Sequence, residues 1–356
     1  MSEESTQFSG TMAVRERHKF DVNVLEAYLK SNIVGFNGPL EVAQFKGGQS
    51  NPSYQLSTPS QKYVLRRKPP GKLLPSAHAV DREYRVISAL SQTEVPVPKT
   101  YCLCEDENII GTMFYVMEFM DGDIEWDPSL PGYSKADRVA VFDSMNAAMA
   151  ALHMVDYKTV GLETFGKPTE YLARQINRWT KQYRASETEE IDAMNQLMAW
   201  LPENIPAGDE TAIVHGDYRL DNTVLDKETH QVIAILDWEL ATLGHPLADF
   251  SYHCMTWRLE PELFRGLNGL DLPALGIPTE KQYVDAYCAR TGRDSIDNWD
   301  FYMAYNMFRL AAILQGIVGR VKDGTAANKN AADVGARVKP LAIRGWEQVE
   351  KIMNSA

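Results

Sequence analysis

The chain has 356 residues, 44% hydrophobic and 24% charged, which suits two lobes or one large enzyme domain and excludes disordered and fibrous classes. Its net charge of −12 lies wholly in residues 121–356, since residues 1–120 carry 13 basic and 13 acidic side chains. An acidic body of this kind disfavours nucleic acid and anionic membranes as partners and would gather a metal or a polyamine substrate, although solubility alone is the better explanation of it.

In chain order, residues 1–21 read as a flexible tail, and MSEESTQFSG lacks the apolar stretch of a secretory signal. From Leu40 to about Met120 short alternating runs predict a small sheet-based lobe. Gln44-Phe45-Lys46 and Ser53 to Leu56 flank the turn-rich Gly47-Gly48-Gln49-Ser50-Asn51-Pro52, and Lys62 to Arg66 is a third run. Ala79 to Leu90 spaces Val80, Tyr84, Ile87 and Leu90 as a helix, and Val95 to Pro98 is extended. Thr112 to Met117 reads as a buried strand closed by the turn Asp121-Gly122, and the lobe boundary is placed just after Met120.

Beyond it the pattern is mainly helical. Ser134 with Asp137 is a capping box for a helix whose stripe is Phe142, Met145, Met149 and Leu152. Leu172, Ile176, Trp179 and Tyr183 form a second stripe, Thr279 with Gln282 opens a third helix, and Trp299 to Val321 is a fourth. Only Ile213-Val214 and Val232 to Leu236 interrupt the helices, as short strands. Four cysteines without a C-x-x-C pair read as reduced thiols, and no apolar run reaches membrane-spanning length, so a cytoplasmic setting is expected.

Chemistry-bearing residues follow each of the two late strands. His215-Gly216-Asp217-Tyr218-Arg219-Leu220-Asp221-Asn222 comes after the first, and Asp237 ends the second, fifteen residues beyond Asn222. This matches the catalytic-loop and metal-loop order of phosphoryl transferases, whose loose transition state needs positioning and charge stabilisation more than covalent help. Asp217 is the candidate to orient an acceptor hydroxyl and take its proton. Asn222 and Asp237 are the candidate magnesium ligands, an amide oxygen and a carboxylate suiting a hard cation. Glu239 is either a further acidic ligand or a surface charge, and Arg219 is a candidate for phosphate or an anionic substrate. His215 and Asp221 read as loop scaffolding.

These motifs resemble the aminoglycoside phosphotransferase and choline kinase superfamily, which carries His-Gly-Asp where protein kinases carry His-Arg-Asp. The resemblance covers nearly the whole chain. It implies an α+β, two-lobed protein-kinase-like fold, with a small antiparallel-sheet lobe holding one helix and a mainly helical second lobe. Residues 22–120 would be the nucleotide-binding lobe ending in the hinge, and residues 121–356 the catalytic and substrate-binding lobe. It also implies ATP and Mg2+ as cofactors and a small-molecule hydroxyl as partner, with neither nucleic acid nor membrane. Arg66 falls where the phosphate-binding lysine normally sits and Glu83 where its helix partner sits, and Val64 and Arg66 share a strand face as that arrangement needs. Arg67 and Lys68 are near alternatives. Gly48, Ser50 and Asn51 match the nucleotide-covering turn, and Glu118 and Met120 the hinge. Asp249, after Leu243-Gly244-His245-Pro246, is expected to anchor the metal-loop region.

Within the superfamily, Gly-Gln-Ser-Asn-Pro, the run from Val64 to His78 and Asn298-Trp299-Asp300-Phe301-Tyr302 look most like the kinase domain fused to acyl-CoA dehydrogenases in some animal proteins, here expected to stand alone. That implies an acceptor such as a hydroxyacyl-CoA, which the basic Lys68, Lys72 and His78 stretch could meet. The acidic second half points instead to an aminoglycoside or another small alcohol. A catalytically silent nucleotide-binding module is the reading of another class, and retention of Asp217 argues against it. A protein kinase is disfavoured because Asp237 to Asp249 leaves no room for a long activation segment.

Overall fold

A computed structural model describes residues 10–46, 51–69, 78–322 and 331–355. Contacts divide the chain into two compact units, Met1–Phe165 with Arg219–Ala241, and Gly166–Tyr218 with Thr242–Ala356. This division follows the chain differently from a cut at the hinge, because 121–165 and 219–241 group with the N-terminal sheet.

The first unit is built on a six-stranded antiparallel sheet. Its strands are β1 (Thr11–Met12), β2 (Glu41–Phe45), β3 (Ser53–Ser57), β4 (Lys62–Arg67), β5 (Thr100–Cys104) and β6 (Phe114–Glu118), in the order β1-β2-β3-β4-β6-β5. Alternation along these strands separates a core face from a polar one. Tyr54, Leu56, Tyr63, Leu65, Cys102, Cys104, Phe114 and Val116 form one buried cluster with Leu25, Leu29 and Ile33 at and beside helix α1 (Val22–Asn32). Eleven residues are too few for a stable isolated helix, so α1 is held by this packing, where each fully buried leucine contributes roughly 1.5–3 kcal/mol. Asp21 caps it, accepting from the Asn23 and Val24 amides.

Residues 10–21, expected to be loose, are ordered. Thr11 and Met12 pair with Phe45 and Gln44. Arg67 donates to the carbonyls of His18 and Ile110, and its guanidinium lies over the rings of Phe20 and Tyr54. The segment therefore covers a buried arginine and supplies one of its two carbonyl acceptors.

The opposite sheet face meets helix α2 (Val80–Leu90), the helix the periodicity predicts. Helix α3 (Lys135–Met154) carries the predicted capping box, Ser134 and Asp137 bonding reciprocally. It packs on a hairpin of β8 (Thr223–Leu225) and β9 (Val232–Ile235), and the strand that precedes them, β7 (Ala212–Val214), belongs to the second unit. The chain just past β6 reaches the hairpin too: Asp123 exchanges both backbone hydrogen bonds with Leu225. A side chain on Gly122 would stand 2.4 Å from the Leu225 carbonyl oxygen, so only glycine permits this approach.

The second unit is mainly helical, with α4 (Tyr171–Ser186), α5 (Asp192–Glu203), α6 (Pro246–Cys254), α7 (Glu280–Thr291), α8 (Trp299–Lys322) and α9 (Val338–Ser355), besides shorter turns. Thr279 and Gln282 form the expected capping box of α7. Its small sheet pairs β7 with β10 (Thr242–Gly244). Besides β1 and β5, the strands β8 and β10 escaped the sequence reading, each of these two too short at three residues to show alternation.

Candidate functional site

Within the first unit, one partly buried cation organises the polar sheet face. Arg66 stands opposite Tyr115 in the β4–β6 register. Its Nε lies 2.9 Å from Glu83 Oε2, and one terminal nitrogen donates to Asp237 Oδ1 at 2.9 Å. Glu83, 1% exposed on α2, also accepts from Asn51 Nδ2 at 2.6 Å and from the Tyr115 hydroxyl at 3.0 Å. Burial works against the charge on Arg66. Glu83, with Tyr115, Asp237 and Glu239 adding to it, outweighs that and raises the guanidinium above its ordinary value. The Tyr115 phenol is pushed well above its usual range, first by burial and then by Glu83.

Arg67, the neighbouring alternative, faces the other way into the core, and Lys68 lies 3.9 Å from Asp81. Asn51 is 1% exposed and bonded to Glu83, with His78 Nδ1 3.0 Å from its oxygen, so the structure places it beneath the cluster. Tyr115 went unnoticed in the sequence. Its signal was the alternation of Phe114 and Val116, which turns Tyr115 to the face of Arg66.

Asn222 and Asp237 are neighbours at one end of the β8–β9 hairpin. The Leu236 amide donates to the Asn222 carbonyl at 2.8 Å, one step past the pair Thr223 and Ile235. Asp237 leaves the strand in a left-handed conformation (φ 63°, ψ 61°), uncommon for a non-glycine residue and better tolerated by Asp than by most. Buried Trp238 fixes the reversal by donating from its indole to the Ile235 carbonyl. Among the described residues no cluster of three or more His, Cys, Asp or Glu is present. One carboxylate and one amide oxygen are nonetheless the donor set magnesium accepts when waters and substrate phosphates complete its shell, so these residues fit it. The Arg66 contact shows that a positive charge already sits favourably against Asp237. Glu239 is exposed, and Arg219 pairs with Asp221 at 3.3 Å.

In the second unit, β7 delivers His215-Gly216-Asp217 onto helix α6. Asp249 in its first turn accepts from the His215 amide at 2.7 Å and the Gly216 amide at 2.8 Å, so it anchors the loop that bears Asp217, a different loop from the one the sequence pointed to. His215, fully buried, accepts from the Asp217 amide through Nδ1, which is loop scaffolding. The Tyr252 hydroxyl donates to Asp217 Oδ1 at 2.7 Å, and Arg309 of α8 donates to the Gly216 carbonyl at 2.6 Å. Neither Tyr252 nor Arg309 carries a motif, so neither was visible beforehand.

Of the remaining candidates, Gly48 and Ser50 lie outside the described residues. Glu118 donates its amide to the Lys99 carbonyl at 2.8 Å, and Met120 is half-buried.

The sequence pattern of the phosphotransferase enzyme family matches residues 41–302. Acyl-CoA dehydrogenase family member 10 of Mus musculus is 45% identical over 345 residues, covering 96% of this chain and 32% of that protein. Acyl-CoA dehydrogenase family member 11 of Rattus norvegicus is 42% identical over 354 residues, covering 97% and 45%. The chain thus spans less than half the length of these relatives. A crystal structure from Ralstonia eutropha, named as a candidate aminoglycoside phosphotransferase, is 54% identical with a TM-score of 0.88, covering 94% of this chain and 99% of that one. Choline kinase from Cryptosporidium parvum, 12% identical, has a TM-score of 0.66 and coverage of 94% and 97%, and shares the kinase-like fold.

Proposed function

Because the chain belongs to the phosphotransferase enzyme family, we propose that it is a small-molecule kinase that moves the γ-phosphate of ATP, with magnesium, onto a hydroxyl. The observation that carries this reading is Arg66, a partly buried cation held between Glu83 and the carboxylate that ends β9. In the reaction the acceptor oxygen bonds to the γ-phosphorus, its proton passes to the Asp217 carboxylate, and the bond to the β–γ bridging oxygen breaks to release ADP. Asn222 and Asp237 would hold the magnesium, whose charge offsets that of the phosphates. Arg66 would meet the phosphates as a planar fork in place of the usual lysine.

For the acceptor we favour a hydroxyacyl-CoA, supported by the likeness to part of two proteins named as acyl-CoA dehydrogenase family members. The acidic residues 121–356 favour a second reading, a cationic alcohol of the aminoglycoside or choline type. A cytoplasmic setting belongs to the proposal. Cys102, Cys104, Cys254 and Cys288 are free thiols, and among the described residues no helix is long and apolar enough to cross a membrane. The partner would be a small molecule, neither nucleic acid nor membrane.

The test is ADP release with ATP and magnesium against hydroxyacyl-CoA thioesters, free hydroxy acids, choline-like alcohols and aminoglycosides. Asp217→Asn should lower the rate with the responsive acceptor by at least about 100-fold, as expected for loss of a general base. Asp237→Ala should abolish magnesium-dependent turnover. Full activity in either variant refutes the assignment, and thermal stabilisation by ATP without turnover on any acceptor favours a silent binding module.

A further inference from the structure

Helix α6 grips three consecutive residues of the loop that bears Asp217. Asp249 and Tyr252 are three residues apart and share one helical face. Asp249 takes the backbone amides of His215 and Gly216, and Tyr252 takes the side chain of Asp217. Gly216 itself sits at φ 84°, a conformation that favours glycine, so the loop turns sharply between these two holds.

The second support comes from α8. Arg309 is 6% exposed, donates to the Gly216 carbonyl, and lies with its guanidinium 4.8 Å from the centre of the Tyr252 ring. One cation thus fixes both the loop backbone and the phenol that bonds the carboxylate. The arrangement is a closed circuit: Arg309 to Gly216, along the chain to Asp217, from Asp217 to Tyr252, and from the Tyr252 ring back to Arg309. A carboxylate that must receive a proton from a substrate hydroxyl has to be aimed within a few tenths of an ångström. The hydrogen bond from Tyr252, itself braced, restricts rotation about the Asp217 Cβ–Cγ bond.

We propose that Tyr252 and Arg309 are positioning residues for phosphoryl transfer, Tyr252 orienting the Asp217 carboxylate and Arg309 bracing both Tyr252 and the loop. The proposal rests on Asp217 being the proton acceptor. Neither residue needs to touch substrate.

The experiment uses the full chain with ATP and magnesium, with 4-hydroxybutyryl-CoA as acceptor and, in parallel, water as acceptor through slow ATP hydrolysis. Tyr252→Phe removes one hydroxyl from a ring that keeps its packing, so the variant should fold. It should lower kcat about 10- to 100-fold in whichever arm turns over, with KM for ATP and the melting temperature nearly unchanged. In a crystal structure of Tyr252→Phe the Asp217 carboxylate should occupy more than one rotamer. Arg309→Lys should lose less activity than Arg309→Met, because lysine still reaches one acceptor. Unchanged kcat in Tyr252→Phe alongside an inactive Asp217→Asn overturns the positioning role while leaving the kinase assignment standing. Full activity in Asp217→Asn overturns both. A rise in acceptor KM with kcat retained, or a single unchanged Asp217 rotamer in Tyr252→Phe, also overturns the proposal.

Discussion

Arg66 illustrates how one side chain joins two elements. Its fork lets Nε face Glu83 while a terminal nitrogen reaches Asp237, a division that the single nitrogen of lysine cannot reproduce at the same angles. Such a cluster is interdependent, because removing one partner leaves charge on the others uncompensated in a largely enclosed site. Glu83→Gln keeps the shape of the side chain but strips the counter-charge from Arg66, and it should reduce unfolding free energy by about 3 kcal/mol, read from urea denaturation. A loss below about 1 kcal/mol would mean that Asp237 alone neutralises the arginine. Arg66 and Glu83 were legible because strand alternation and a helix position specify them. The contact of the Asn51 amide with Glu83 was not legible, since its sequence context is a turn and the register and the helix position reveal the partner.

At the scale of elements, local signals read well and long-range ones did not. Both capping boxes form as written, because Ser134 with Asp137 and Thr279 with Gln282 need only their own helix turn. Helix α1 carried a legible start in Asp21, yet the sequence reading assigned the stretch to the first lobe without naming a helix. The hairpin bearing Asn222 and Asp237 was half seen, as β9 without β8. Its attachment to the chain just past β6 depends on the bare backbone at Gly122. Gly122→Ala would press a methyl group against the Leu225 carbonyl and a methyl of Val224, at 2.4 and 2.5 Å, and the backbone oxygen has no room to yield. This variant should lose about 1–3 kcal/mol of stability, the range for overpacking, with the Leu225 amide, which donates to the Asp123 carbonyl, exchanging hydrogen faster than in the parent. Unaltered exchange at Leu225 would show that the bridge to Asp123 contributes little.

For the molecule as a whole, acid is the condition to which stability should respond most visibly. His253 is buried on α6, with Nε2 2.9 Å from the Tyr283 hydroxyl, and burial lowers its pKa to about 4 despite the opposing pull of Asp249 and of the Tyr218 backbone. Its folded value lies below its unfolded one of 6.5, so the unfolded chain takes up the proton first. Stability is therefore whole above about pH 6.5 and falls as pH drops toward 4, by about 3 kcal/mol at roughly 1.4 kcal/mol per pH unit. Urea midpoints between pH 7 and pH 4.5 should show this slope, and His253→Gln should flatten it; an equal slope in that variant would assign the loss to carboxylates instead. The family pattern ends at residue 302, and Arg309 lies seven residues further on. A boundary drawn where the pattern stops would keep Asp217, Asn222 and Asp237 in full and discard the guanidinium that ties the Gly216 carbonyl to α8. Two chains could therefore agree at every motif position and still differ in how firmly the loop is held, so similarity measured across the motif alone is an incomplete guide to which members of such a family are competent.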